Sequence, residues 1–581
     1  MSRRIRILLG FGVLAAVLLW LFYHRGPSPN GNSSNPQAGG RLAAISRTEP
    51  RTFNRYVASD ATSDLVSRLT QAPLVRLNPV TGVLEPRLAR EWSASPDGRI
   101  WTLKLRDDVT YSDGVPFTSA DVVFSFQALY DPRVASPLAS AFQVAGRPLT
   151  ARALDAHTVE IAFPEPPGPG LAMLDPLPML PRHAVEAALQ AGTFGKAWTV
   201  TAPVSEIIGL GPFVLTEYAP GEHLRLSRNP RYWRRDDTGQ ALPYLDGIDF
   251  QFVPEQSAEL LRLTSGDVDL MTDTDQVRAV DMNALRQAEE KGLLHLVDVG
   301  VSPDANALWF NLAPGAPRAK GRPWLQREEL RRAISCAVDR QAIVDSVYLG
   351  AAVPVYGPIT PGHGEWYAKD LPQTTYDLAK AKALLASIGL TDRNGDGLVD
   401  DAAGQPARLA ILTNKGNTIR EQTMSVIKEQ LGKVGLGVDI VALDLGAVMA
   451  QFGTGDYDGI YYGFQTDSVD PARNLDYWLS AGPYHVWHPK QSAPATPWEA
   501  RIDQLMKTQE ITLDAAERRR IFAEVQGIFA EHLPALYFAA PKVTVAVGHR
   551  VIGATPVLLK PHVLWNAEML RLAAPGASGS R

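Results

Sequence analysis

Strands and helices alternate along the second half of the chain, and this alternation constrains the fold more than any other feature. A helix closes at Gly389, a strand follows at 407–412, and the next helix opens with Thr418 and Glu421 at capping-box spacing. Strand patterns at 436–443 and 457–463 continue the series. Such alternation predicts an α/β domain with a mainly parallel sheet.

The first half of the chain has a different, hairpin-rich pattern. Trp101, Leu103 and Leu105 alternate with polar residues after a Pro-Asp-Gly turn, and Thr118 with Asp121 predicts the start of a helix that stops at Asp131-Pro132. Since the chain has 581 residues, too many for one compact core, we expect two or more domains.

Two loops of the α/β half follow predicted strands. In open α/β sheets, ligands bind beyond the carboxyl ends of the strands. The loops "TNKGN" (413–417) and "GFQTDSVDP" (463–471) should therefore face one ligand crevice. The loop "DRNGDG" (392–397) runs from a helix into a strand and should lie at the opposite edge.

The segment "DRNGDGLVDD" (392–401) resembles a calcium loop. Oxygen-bearing side chains occupy ligand positions one, three, five and nine: Asp392, Asn394, Asp396 and Asp400. Position twelve, where a bidentate Glu is needed, is Ala403. The pattern fits either a structural calcium site or a hydrated, glycine-punctuated turn.

The N-terminus indicates export. Arg3, Arg4 and Arg6 precede an uncharged apolar run over 7–23, and positive charge stays cytoplasmic. Because no small-x-small cleavage site follows, an uncleaved anchor is favoured over a removed signal peptide. Residues 24–40 read as a flexible tether. This organisation predicts a globular body held outside the cytoplasmic membrane.

Composition and motifs exclude several function classes. A formal net charge of -5, with no basic stripe, argues against nucleic-acid binding. The chain has one cysteine, Cys336, so an intrachain disulfide is excluded. The sequence contains no H-E-x-x-H, G-x-S-x-G or P-loop motif. His485 and His488 are spaced to share a metal, but no third ligand is near in sequence.

A series of short segments carries a family resemblance. In order they are "LAREWSASPDGRIWTLKLRDDVTYSDGVPFTSADVVFSF", "GLGPFVLTEY", "NPRYW", "LTSGDVDLM", "WFNLAPGAP", "LRRAISCAVDRQAIVDSVYLGAA", "YDLAKAKALLASIGL" and "GFQTDSVDP". Together they resemble the extracytoplasmic solute-binding proteins of peptide ABC importers, the dipeptide- and oligopeptide-binding family (bacterial solute-binding family 5). The resemblance covers roughly residues 45–572.

The resemblance implies a two-lobed, type II-like periplasmic-binding-protein fold with a ligand cleft between the lobes. It places lobe I at 45–300 with a C-terminal return at 540–572, and lobe II at 301–539. The flanking parts are an anchor or signal segment at 1–26, a linker at 27–44 and a disordered tail at 573–581. The implied protein is a monomer without catalytic activity or a required cofactor. It closes on a peptide and delivers it to membrane permease subunits.

Family members hold the ligand's α-ammonium with an aspartate in a G-W-x-x-D segment. Here the segment reads "GFQTD", which implies Asp467 as the amine partner and Phe464 in place of the Trp. For the ligand carboxylate, Lys415 is favoured over Arg420, which stands early in a helix. Asn414 and Asn417 are either hydrogen-bond partners of the ligand or turn residues.

Two alternatives remain open at this stage. Relatives with the same scaffold bind nickel complexes, sugars, opines or antibiotics, and an uncharged sugar needs no carboxylate at Asp467. A secreted, membrane-anchored hydrolase would instead need a nucleophile and base in the cleft, and the sequence identifies none.

Overall fold

The computed structural model describes residues 39–272, 277–464 and 468–573. Its buried hydrophobic side chains form separate clusters. Two clusters draw on residues from the ranges 42–299 and 543–572, and two draw on residues 301–540. We refer to these parts as the first lobe and the second lobe. The predicted two-lobed α/β fold is confirmed.

A large sheet organises the first lobe. Its strands, in spatial order, are Phe213–Ala219, His223–Arg228, Gly247–Phe252, Arg41–Ser46, Leu270–Met271, Ala539–Gly548 and Leu294–Val301, and Ala352–Pro354 also pairs with Ala539–Gly548. The late strand Ala539–Gly548 runs antiparallel to Leu294–Val301. The chain thus returns to the first lobe after building the second.

Smaller sheets complete the first lobe. A four-stranded sheet has the order Ala89–Ala94, Ile100–Leu105, Thr158–Ala162, Thr150–Asp155. Two-stranded pairs are Val75–Leu77 with Leu84–Pro86, Gln143–Val144 with Arg147–Pro148, and Val551–Ile552 with Arg571–Leu572. The predicted hairpin around Pro96-Asp97-Gly98 is the first pair of the four-stranded sheet.

The α-helices follow the sequence patterns closely. Those of the first lobe are Ala61–Thr70, Ser119–Tyr130, Arg182–Gln190, Gln256–Ser265 and Met282–Glu290. Those of the second lobe are Glu328–Ala337, Arg340–Ser346, Leu378–Ser387, Thr418–Gly432, Leu445–Thr454, Leu475–Trp478, Pro497–Glu510 and Ala515–His532. The predicted capping box at Thr118 and Asp121 is present.

The second lobe is built on one sheet covered by helices on both faces. Its strand order is Gly437–Leu443, Arg408–Asn414, Gly459–Tyr462, Ala307–Phe310, Ala535–Tyr537. Leu308 and Phe310 belong to one buried cluster, whereas Ala307 and Trp309 belong to the other, as the two-residue period of a strand requires.

Strand direction in this sheet differs from the prediction. Arg408–Asn414 is parallel to both Gly437–Leu443 and Gly459–Tyr462. Ala307–Phe310, however, is antiparallel to both of its neighbours. The sheet is mixed, because Ala307–Phe310 enters from the first lobe and is not part of a βαβ unit.

The predicted membrane segment at 7–23 lies outside the described residues. Within the part of the chain that the structure covers, no helix combines the length and apolar character needed to cross a bilayer.

Candidate functional site

The site is centred on Arg420, at the carboxyl end of strand Arg408–Asn414. Asn414 ends this strand, and Asn417 caps the helix Thr418–Gly432 by accepting the Arg420 amide N–H at 3.0 Å. Asn417 is therefore the N-cap, in place of the predicted Thr418. Asn is among the preferred N-cap residues because its side-chain oxygen satisfies an orphan helix N–H.

The Arg420 guanidinium is held by three acceptors from separate segments. Its Nε donates to Asn306 Oδ1 at 2.8 Å, Nη1 donates to Asn414 Oδ1 at 2.6 Å, and Nη2 donates to the Gly463 carbonyl at 3.3 Å. The guanidinium carbon also lies 4.0 Å from the centre of the Tyr462 ring, a cation–π distance. These contacts fix the side chain in one orientation.

Sheet register explains why Asn306 reaches this point. Ala307 pairs with Tyr462 across two antiparallel strands, so Asn306 lies opposite Gly463. A Cβ on Gly463 would come within 2.6 Å of Asn306 Oδ1. A side chain at position 463 would therefore push Asn306 Oδ1 away from its present position beside Arg420. Sequence reasoning missed Asn306 and Tyr462, since only the strand pairing connects them to Arg420.

Arg420 is a half-buried cation without an acidic partner. Among the described residues, no carboxylate lies within ion-pair distance of it. A guanidinium has five N–H donors, and the three protein acceptors leave one N–H on each terminal nitrogen. Two N–H groups on one planar fork match the two oxygens of a carboxylate.

Lys415, favoured by the sequence as the carboxylate partner, is exposed. Its backbone N–H donates to the Leu443 carbonyl at 2.7 Å, which continues the strand pairing by one residue. The Asn414 side-chain oxygen accepts a hydrogen bond from Arg420, so it positions Arg420 within the protein. The geometry therefore favours Arg420 over Lys415 as the anion-binding group.

Phe464 lies in an aromatic cluster next to Gly463. Its ring stacks on Trp309 with 5.9 Å between centroids and meets Tyr462 and Tyr484 at 5.5 Å and 5.3 Å. Trp309 is fully buried, so the cluster ties the segment to the second-lobe core. Asp467, the predicted amine partner, lies outside the described residues.

The acidic loop sits at the amino end of strand Arg408–Asn414, opposite the Arg420 site. Asp392 accepts the backbone N–H groups of Gly395 and Gly397, and Asp396 accepts that of Leu398. The described residues contain no group of three or more His, Cys, Asp or Glu side chains arranged to hold a metal. Calcium binding by this loop stays a prediction.

The two histidines at metal-like spacing are structural partners of one buried carboxylate. Glu499 Oε1 lies 3.3 Å from His485 Nε2 and 3.7 Å from His488 Nδ1. Its other oxygen accepts hydrogen bonds from the Ala495 and Thr496 amides at 3.0 Å each. Burial alone would raise the pKa of Glu499, but side-chain hydrogen bonds from His485, His488 and Thr496 outweigh it and hold the pKa well below the ordinary value.

Comparison with known families identifies the chain. The family model described as "Bacterial extracellular solute-binding proteins, family 5 Middle" matches residues 83–485. The chain belongs to this family. Its relatives include a "Probable ABC transporter-binding protein" of Deinococcus radiodurans, 26% identical over 550 residues that cover 90% of this chain and 91% of that protein.

Solved structures of similar proteins show the fold and a range of ligands. The Bacillus subtilis oligopeptide-binding protein AppA, solved with a nonapeptide, is 25% identical, with a TM-score of 0.72 over 93% of this chain and 100% of that one. MelB of Agrobacterium fabrum, solved with stachyose, is 22% identical, with a TM-score of 0.75 over 94% and 86%. Family 5 membership thus establishes the fold, whereas the identity of the ligand depends on the residues of the binding site.

Proposed function

We propose that this family 5 protein is the extracytoplasmic binding component of an ABC importer and that it binds peptides, without catalysing a reaction. The observation that carries the proposal is Arg420, a half-buried and oriented cation with no acidic partner among the described residues. A buried charge without a partner is costly. A ligand carboxylate would supply the negative charge that Arg420 lacks.

The proposal gives each end of the ligand one charged partner. Arg420 would bind the C-terminal carboxylate through its two remaining N–H groups, with Asn306 and Asn414 as positioning residues. Asp467 would bind the α-ammonium, which supplies up to three donors. Similarity to AppA, a protein solved with a nonapeptide, supports a peptide as the ligand.

A first test is the identity of the molecule that co-purifies. Native mass spectrometry of the full-length protein should show an added mass that fragments as a peptide. A sugar or a nickel chelate in its place would contradict the peptide assignment and support the ligand classes seen in similar scaffolds. Substitution of Asp467 by Ala should lower the bound fraction, because one partner of a desolvated charge pair is lost.

We further propose that the protein is monomeric, works with membrane permease subunits and is tethered by residues 7–23. The tether follows from the arginines and apolar run at the N-terminus. Cell fractionation should place the protein in the membrane fraction with Arg3, Arg4 and Arg6 intact. An N-terminal sequence that starts beyond Tyr23 would show instead that the segment is a removed signal peptide.

A further inference from the structure

A cavity lies where the two lobes meet, apart from the Arg420 site. The space inside it that water-sized groups can occupy is about 60 Å³, and it is partly open to solvent. Gln143 and Met173 contribute to its first-lobe wall, and Arg473, Asp476 and Glu510 contribute to its second-lobe wall. Because both lobes supply walls, a group in this cavity contacts both lobes at once.

Asp476 is the group in this cavity that lacks a partner. It stands in the short helix Leu475–Trp478, and its backbone carbonyl accepts the Tyr484 N–H at 3.0 Å. Its half-buried carboxylate makes no hydrogen bond and no ion pair with any residue that the structure describes. Burial raises the pKa of this carboxyl above its ordinary value, as expected for an acid without a nearby cation.

The other charged groups of the cavity do not neutralise Asp476. Arg473 donates to the Met173 carbonyl at 3.1 Å and lies over the Phe142 ring at 5.6 Å. Glu510 is buried, and its Oε1 accepts the Ala145 N–H at 3.0 Å. The cavity therefore contains two carboxylates, and its one guanidinium is directed toward the first lobe.

We propose that this cavity is a subsite for a cationic group of the ligand, an ammonium or guanidinium, and that Asp476 is its specificity-determining residue. A cation would give the half-buried carboxylate the partner that it lacks, and Glu510 would add a second negative charge nearby. The proposal rests on the proposed peptide-binding function and names the side-chain chemistry that the protein selects. Preferred peptides carry lysine or arginine at the position that reaches this cavity.

Matched peptides test this preference on the full-length protein. Isothermal titration compares tripeptides of alanine that carry lysine at position one, two or three with the same peptides carrying norleucine, which has a similar length and no charge. We expect lysine to bind about tenfold more tightly than norleucine at one position, as for a desolvated charge pair. Asp476→Asn should abolish that preference and leave norleucine affinity within about twofold.

The control variant is Asp370→Asn, which removes an exposed carboxylate of the same lobe and should keep the preference. Equal binding of lysine and norleucine at all three positions, measured on the unmodified protein, overturns the subsite and leaves peptide binding intact. A lysine preference that survives Asp476→Asn also overturns it. If none of the peptides binds, the proposed function fails and the subsite fails with it.

Discussion

At the scale of single residues, the central feature is Arg420, which Asn306, Asn414 and Gly463 hold in one orientation. The loop after strand Arg408–Asn414 was predictable, because it follows a buried strand of an α/β sheet. The fixed orientation of Arg420 was not predictable, because it depends on Asn306 and Gly463, which are distant in sequence. An early helical position predicts a solvated side chain, whereas long-range contacts leave Arg420 half-buried and held by three acceptors.

A pair of variants distinguishes these two basic residues. Arg420→Lys keeps the charge but loses the planar fork that meets three acceptors and a carboxylate, so we expect peptide affinity to fall by about tenfold or more. Lys415→Ala removes an exposed cation and should change affinity by less than about twofold. Calorimetry measures the peptide affinity of both variants. A larger loss of affinity in Lys415→Ala than in Arg420→Lys would show that Lys415 binds the ligand carboxylate.

Glu499 gives a stability prediction at the same scale. Glu499→Gln keeps the shape but removes the charge that His485 and His488 face, so we expect a loss of about 3 kcal/mol in unfolding free energy. Because the native pKa is depressed, the carboxylate's contribution is complete above the ordinary glutamate pKa of about 4.3 and is lost as pH falls toward the native pKa.

Thermal unfolding between neutral and acidic pH measures this effect. The Tm of the wild-type protein should fall more steeply with acidification than that of Glu499→Gln. Parallel curves, or an unchanged Tm in the variant at neutral pH, would contradict a stabilising role for the ionised group.

At the scale of elements, local sequence signals predicted individual helices and turns well, but they did not predict how the strands pair. The capping box at Thr118 and the hairpin turn at Pro96-Asp97-Gly98 each depend on a few adjacent residues, and both are present. The direction of Ala307–Phe310 depends on how the chain crosses from the first lobe, which no local pattern contains. Strand order and direction are set by contacts far apart in sequence.

The acidic loop supplies a prediction at this scale. Asp400 is buried, and its Oδ1 has no hydrogen-bond partner among the described residues. A buried oxygen without a partner is destabilising, and a bound calcium ion would provide that partner. We expect calcium to raise the Tm, because only the folded loop presents the ligands. Asp400→Asn should remove that increase.

A measurement of peptide affinity shows whether the acidic loop and the ligand site are independent. The loop lies at the amino end of strand Arg408–Asn414 and Arg420 lies beyond its carboxyl end, so chelation should leave peptide affinity unchanged. If neither calcium nor chelator changes the Tm, the loop is a glycine-punctuated turn without a bound ion. If chelation causes a large loss of peptide affinity, the placement of the loop away from the ligand site is contradicted.

At the scale of the whole molecule, polar contacts join the two lobes. The Gly168 N–H of the first lobe donates to the Glu510 carbonyl at 2.6 Å, at the C-terminus of helix Pro497–Glu510. The Ala145 N–H donates to the Glu510 carboxylate. These hydrogen bonds, together with the contacts of Arg473 to Met173 and Phe142, join the two lobes.

Gly168 allows a test of lobe closure. A Cβ there would lie 2.8 Å from the Gln509 and Glu510 carbonyls, so Gly168→Ala should disfavour the closed arrangement. Since apparent affinity falls with the competent fraction, we expect the Kd for peptide to rise about tenfold. Gly432→Ala is the matched control, because a Cβ at that exposed helix end meets nothing.

Small-angle scattering distinguishes closure from a local effect. With saturating peptide, Gly168→Ala should keep a larger radius of gyration than the wild-type protein. Wild-type affinity and compaction in this variant would show that the Gly168 contact does not limit closure.

The central claim is that the cleft binds a peptide through both charged ends, and blocked peptides test it most directly. The peptide released from the purified protein is synthesised free, N-acetylated, C-amidated and doubly blocked, and each form is titrated by calorimetry. Loss of one ionic partner should weaken binding by about tenfold or more at each end, and the doubly blocked form should bind most weakly. A doubly blocked peptide that binds as tightly as the free one would contradict the assignment of Arg420 and Asp467 to the ligand's ends.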